Sequence, residues 1–249
     1  RCNNYEWYSS TSEIAAEQGY LEVLQWVIAN GCPWDESTCA AAAENGHLDV
    51  LKWARTNGCP WNQGTCNIAA EKGHLEILQW ARANSCPWTE HTCTSAARSG
   101  NLNILQWCRE NGCAWSKHTC KAAAAGGYLE VLRWARNNGC PWNHLTCVSA
   151  AENGHLETLQ WAVTNGCPCS TLASYEAAIE NQLDVLKWMI PNGFPFDEHC
   201  VNTVAFHGHL EIIKLAKANG YTCDETTCKS AAEGGHLELL QWLRNNGCP

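Results

Sequence analysis

The chain repeats itself every 27 residues. CPWDESTCAAAAENGHLDVLKWARTNG at 32–58 returns as CPWNQGTCNIAAEKGHLEILQWARANS at 59–85, and the pattern continues to the C-terminus. Cysteine opens the unit at 32, 59, 86, 113, 140 and 167, and Phe194, Tyr221 and Cys248 keep the same step. A divergent copy occupies 5–31. Nine units therefore run 5–31, 32–58, 59–85, 86–112, 113–139, 140–166, 167–193, 194–220 and 221–247, with the opening of a tenth behind them. A fixed period of roughly 20–50 residues means stacked supersecondary units, each touching mainly its neighbours. With no linker or low-complexity tract to divide it, residues 1–249 are expected to form a single repeat array.

The columns of the repeat define a helical hairpin. Column four reads Asp35, Asn62, Thr89, Ser116, Asn143, Ser170, Asp197 and Asp224, all residue types that cap a helix N-terminus through a side-chain oxygen. An Ala-rich first helix follows, as in 39–43 and 122–125. Column fifteen is Gly in eight units and Asn181 in the seventh, the two residues that best tolerate the left-handed conformation ending a helix. The second helix carries Leu at column seventeen, from Leu21 to Leu237, an acid after it in all but one unit, and Trp at column twenty-two except at Leu215. It ends at Asn–Gly, and the Pro two residues on prevents continuation. No strand alternation occurs. The predicted fold is an all-α solenoid of about nine helix-turn-helix units.

The run AAENGHLDVLKWARTNG at 42–58 resembles the ankyrin repeat, with its Ala-Ala, its Gly-His-Leu-Glu and a helix ending in Gly. Ser37–Thr38 falls where that family carries Thr-Pro, and Cys39 falls on its buried Leu. Ankyrin units are about 33 residues long. The residues absent here lie between Gly31 and Ser37, where the family builds its β-hairpin finger. The chain is similar to short, Cys-Pro-Trp-bearing ankyrin-like repeats of some giant viruses and protists. The resemblance implies an ankyrin-like α-solenoid without β-hairpins, and a scaffold that binds proteins.

Composition excludes several functions. Net charge is −9, and the basic residues form no run, which argues against a phosphate-binding surface and hence against nucleic acid as a partner. No apolar stretch approaches the ~20 residues of a membrane span. The N-terminal RCNNYEWYSS has no signal-peptide layout and no initiator Met, so an upstream segment is a possibility; the expected location is intracellular, in a reducing cytoplasm. The ninth unit keeps its apolar pattern to Leu243 and breaks off at the start of another copy, from which a longer natural chain, or a covering partner in a larger complex, is expected.

Three readings fit the cysteine pairs Cys32/Cys39, Cys59/Cys66, Cys86/Cys93, Cys113/Cys120 and Cys140/Cys147. They are reduced residues buried at the loop-to-helix corner, disulfides within each unit, or metal ligands. The first is favoured, because Phe194, Tyr221 and Val201 substitute for them and zinc sites usually use closer spacing. Cys167 and Cys228 have no partner within their own units. The second-helix Trp residues, Trp26 to Trp242, are expected in the core. The loop Trp34, Trp61, Trp88, Trp115 and Trp142 either pack over the corner or form an aromatic row for a partner. His47, His74, His155, His209 and His236 share a column with Tyr, Asn and Gln, which suggests hydrogen bonding or packing; His91, His118, His144 and His199 form a surface row. No catalytic motif stands out, so no enzyme activity and no cofactor are expected.

The columns that change freely carry the specific signal. Column nine includes Lys121, Val148, Tyr175, Asn202 and Lys229; column thirteen includes Ile179 and Phe206. These seven are the candidate partner-binding residues. The seventh and eighth units depart most, through Tyr175, Ile179, Met189, Pro191, Phe194, Phe196 and Phe206. The function this predicts is a non-catalytic protein–protein interaction scaffold using first-helix and loop surfaces. A structural subunit bracing a larger assembly, and a redox or metal-binding protein using the cysteine pairs, are the alternatives.

Overall fold

A computed structural model describes residues 7–248. Tyr5 and the N-terminal RCNN lie outside the described residues, as does Pro249. The described residues form eighteen α-helices and no strand, two helices per unit, from Ser9–Glu17 to Leu237–Asn245. The all-α solenoid of helix-turn-helix repeats is therefore the observed architecture. Residues up to Thr119 form one compact body and residues from Cys120 a second. Within each body, the first helix of a unit packs on the first helices of its neighbours. No helix among the described residues is long and apolar enough to cross a membrane.

The unit 32–58 shows how the sequence produces the hairpin. Asp35 is extended, and its Oδ1 accepts from the Ser37 amide at 2.9 Å, satisfying one free donor of Glu36–Glu44. Gly46 then turns left-handed with φ 83°, and the His47 amide donates back to Ala42 at 2.9 Å, closing the helix C-terminus. Leu48–Thr56 closes in the same way. Gly58 takes φ 89°, and the Cys59 amide reaches Ala54 at 2.9 Å. The cysteine that opens each unit thus also terminates the helix before it. In the other units the caps hold at Asn62, Thr89, Asn143, Asp197 and Asp224, but Ser170 makes no side-chain cap and its hydroxyl is buried without a partner. Asn181 takes φ 56° in the glycine column, and Ser85 is left-handed at φ 66° where the other units have Gly.

Columns nineteen, twenty and twenty-three of the second helix fill the core with Cys39, Ala42 and Ala43 of the first. Val50, Leu51 and Ala54 are all fully buried. Each buried Leu of this series contributes about 1.5–3 kcal/mol. The column-sixteen side chain ties one unit to the next. His47 Nε2 donates to the Glu17 carbonyl at 3.0 Å, His74 to Glu44 at 3.0 Å and His209 to Ile179 at 2.9 Å, while Gln182 reaches Glu152 at 2.9 Å. These carbonyls belong to helix ends and have no intrahelical partner. The histidine column therefore hydrogen-bonds between units. Gly19 makes room for it, since a Cβ there would meet the His47 ring at 2.6 Å.

The second-helix tryptophans depart from expectation. Trp53, Trp80, Trp107 and Trp161 are half-buried and Trp26 is 60 % exposed, so they are not core residues. Each ring instead packs on the loop Trp of its own unit: Trp34 on Trp53 and Trp61 on Trp80, with centroids 5.7 Å apart, and Trp142 on Trp161 at 5.9 Å. The preceding unit supplies an arginine to the loop ring. Arg55 stands 4.2 Å from Trp61, Arg82 from Trp88, and Arg109 from Trp115, and each Nη1 also donates to a carbonyl, of Cys59, Cys86 and Cys113 respectively. The loop tryptophans are packing elements. The seventh to ninth units lose this ladder, since Cys169, Phe196 and Cys223 stand in the loop-Trp column. Trp188 packs on Phe194 at 5.1 Å, and Phe196, 3 % exposed, packs on Tyr221 at 5.4 Å. Leu183–Met189 is two residues shorter than its counterparts, which end later because none has Pro191 behind it.

Candidate functional site

In the second body a cleft of about 330 Å³ opens between the first helices of the seventh and eighth units, Thr171–Ile179 and Glu198–His207. Thr171, Leu172, Tyr175, Asp197, His199 and Cys200 line it. The Tyr175 ring lies flat on the His199 imidazole, with centroids 5.2 Å apart and planes 6° from parallel. Leu172 is 38 % exposed, so the cleft has an accessible apolar wall. Burial pushes the Cys200 thiol up to about 12, leaving it protonated and a poor nucleophile near neutral pH. The Cys200 amide donates to Asp197 at 3.0 Å and holds that carboxyl below its usual range, so Asp197 is an ionised helix cap.

The seven candidate residues divide by environment. Tyr175 lines the cleft. Phe206 is 47 % exposed and its carbonyl accepts from His236 at 2.9 Å; Ile179 is half-buried with its carbonyl engaged by His209; neither lines the cleft. Asn202 Oδ1 accepts the Thr227 hydroxyl at 2.9 Å, which ties neighbouring first helices together. Val148 is 5 % exposed and belongs to the packing. Lys229 is exposed and pairs loosely with Glu233 at 3.7 Å, and Lys121 is half-buried. Leu172 and Asp197 were not singled out as partner-facing by the sequence. Their signal is positional: both sit at the loop-to-helix corner beside a changed column nine.

The cysteines pair differently from their spacing. Those described are free thiols, almost all buried. The hydrogen-bonded neighbour of Cys39 is Cys59, that of Cys66 is Cys86, and that of Cys147 is Cys167. Contact therefore runs from the eighth column of one unit to the first column of the next, not within the unit. The apparent isolation of Cys167 and Cys228 is overturned on the same ground, since Cys228 Sγ is 2.8 Å from Cys248 Sγ. A neighbouring thiol raises Cys39 and Cys66, with burial acting in the same direction. Cys86 and Cys167 move down because the partner thiol donates to them. No group of three or more His, Cys, Asp or Glu among the described residues is arranged to hold a metal ion.

No family model matches the chain, and no curated protein matches it significantly.

Proposed function

We propose that the chain is a non-catalytic protein-binding scaffold whose specific surface centres on the cleft at Tyr175. The observation that carries this reading is that cleft, which is made from first-helix and loop residues in the very units that depart from the repeat. An aromatic ring fixed by stacking beside an apolar wall offers a preorganised anchor for a partner side chain. The resemblance to ankyrin-like arrays supports the same use, and the number of buried thiols fits a reducing intracellular compartment. A photocrosslinking amino acid at position 172 would trap such a partner. Affinity of the purified partner should then fall at least tenfold with Tyr175→Ala and stay unchanged with Gln79→Ala on the first body. Equal affinity for both variants would sink the proposal.

A further inference from the structure

The eighth-column and next first-column cysteines face each other across unit junctions. Eighth-column residues Cys39, Cys66, Cys93, Cys120, Cys147 and Cys228 are each followed by a first-column cysteine in the next unit, at Cys59, Cys86, Cys113, Cys140, Cys167 and Cys248. Where the eighth column is Ser174 or Val201, the next unit opens with Phe194 or Tyr221, whereas Ser12 is followed by Cys32. Pairing inside a unit fails at Cys167 and Cys228, which stand opposite Ser174 and Tyr221.

We propose that Cys228 and Cys248 form a reversible dithiol–disulfide site that locks the end of the last helical hairpin to its own first helix, Glu225–Glu233. Their sulfurs are 2.8 Å apart, so a bond of ~2.05 Å needs an approach of only ~0.8 Å. Cys248 is anchored by its Sγ–H donating to the Asp224 carbonyl at 3.1 Å. Cys228 is half-buried, whereas Cys39, Cys59, Cys66 and Cys86 are fully covered. Access therefore favours Cys228 as the attacking thiol. With oxidised glutathione as the two-electron oxidant, the Cys228 thiolate, its proton lost to solvent, attacks one glutathione sulfur. The glutathione disulfide bond breaks and one glutathione thiolate leaves. Cys248 then gives up its proton to solvent, attacks the Cys228 sulfur of the mixed disulfide and expels the second glutathione thiolate; both released thiolates take up a proton from solvent. Two protein thiols are oxidised to one disulfide, and one glutathione disulfide is reduced to two thiols.

The test incubates the full chain with excess oxidised glutathione, alkylates remaining thiols in denaturant and maps disulfides by peptide mass spectrometry. The first and dominant linkage should join Cys228 to Cys248, raise Tm by about 5 °C or more and revert with dithiothreitol. In Cys248→Ser the reaction should stop at glutathione attached to Cys228. First linkage of any other pair overturns the proposal. So does persistence of the mixed disulfide in the unsubstituted chain, or failure to oxidise under conditions where Cys228 and Cys248 both alkylate in the folded protein.

Discussion

The Thr92 hydroxyl donates to the side-chain oxygen of Asn67, one unit earlier, at 2.7 Å, and Thr227 does the same to Asn202 at 2.9 Å. Thr92 and Thr227 are fully buried; Asn67 is the acceptor for Thr92, while the Thr227 hydroxyl also lies 3.1 Å from Asp224 Oδ1 and accepts the Asp224 amide at 3.3 Å. Where the earlier unit has Ala40 or Lys121 in place of Asn, the hydroxyls of Thr65 and Thr146 are buried without a partner. Part of the variation in column nine therefore acts on the stack itself.

Asn67→Ala should destabilise the chain by about 1 kcal/mol, because it orphans the Thr92 hydroxyl. Adding Thr92→Val should recover most of that loss. A double-mutant cycle in denaturant titrations measures the coupling, and additive effects would show that the bond contributes nothing.

Ser85→Gly should stabilise by about 0.5–1 kcal/mol. Ser85 holds φ 66° at a position where Gly58 and Gly139 stand in other units, and a side chain there carries left-handed strain. Chemical denaturation of the variant decides it; a lower midpoint would contradict the argument.

Replacing Arg82 should reveal the ladder. The guanidinium both covers the Trp88 face at 4.2 Å and donates to the Cys86 carbonyl. Arg82→Ala should cost about 2 kcal/mol, and Arg82→Lys should restore less than half of it, because an ammonium keeps the charge without the planar stack. Full recovery by Lys would mean that charge alone matters.

Glu176 sets a pH dependence. Burial, reinforced by Glu152 and Glu180, raises its pKa. An acid with a raised folded pKa disfavours folding at neutral pH and regains that stability as pH falls through the folded value. Glu176→Gln should therefore raise Tm at pH 7, with the gain shrinking toward pH 4. A gain that persists unchanged at pH 4 would place its cause elsewhere.

The hairpin was legible in the sequence because its signals are local. Asp35 caps the helix that starts beside it, and Gly46 ends that helix within one turn. What failed was inference across units. Cys32 and Cys39 are close in sequence, yet Cys39 meets Cys59, because the first-column cysteine closes the helix before it. Helical periodicity placed Trp53 on the apolar face, but Val50, Leu51 and Ala54 already fill the core, so the larger ring is left to the loop Trp34. The cleft was half-legible: Tyr175 stood out as a departure, while its stacking on His199 depends on how two first helices are spaced.

The most direct test is the affinity of the partner trapped from position 172, measured by calorimetry against the unsubstituted chain, Tyr175→Ala and Asn202→Ala. The scaffold account predicts at least a tenfold loss for Tyr175→Ala with Tm nearly unchanged. For Asn202→Ala it predicts a lower Tm with affinity retained, because that side chain holds Thr227. Undiminished affinity in Tyr175→Ala would contradict it.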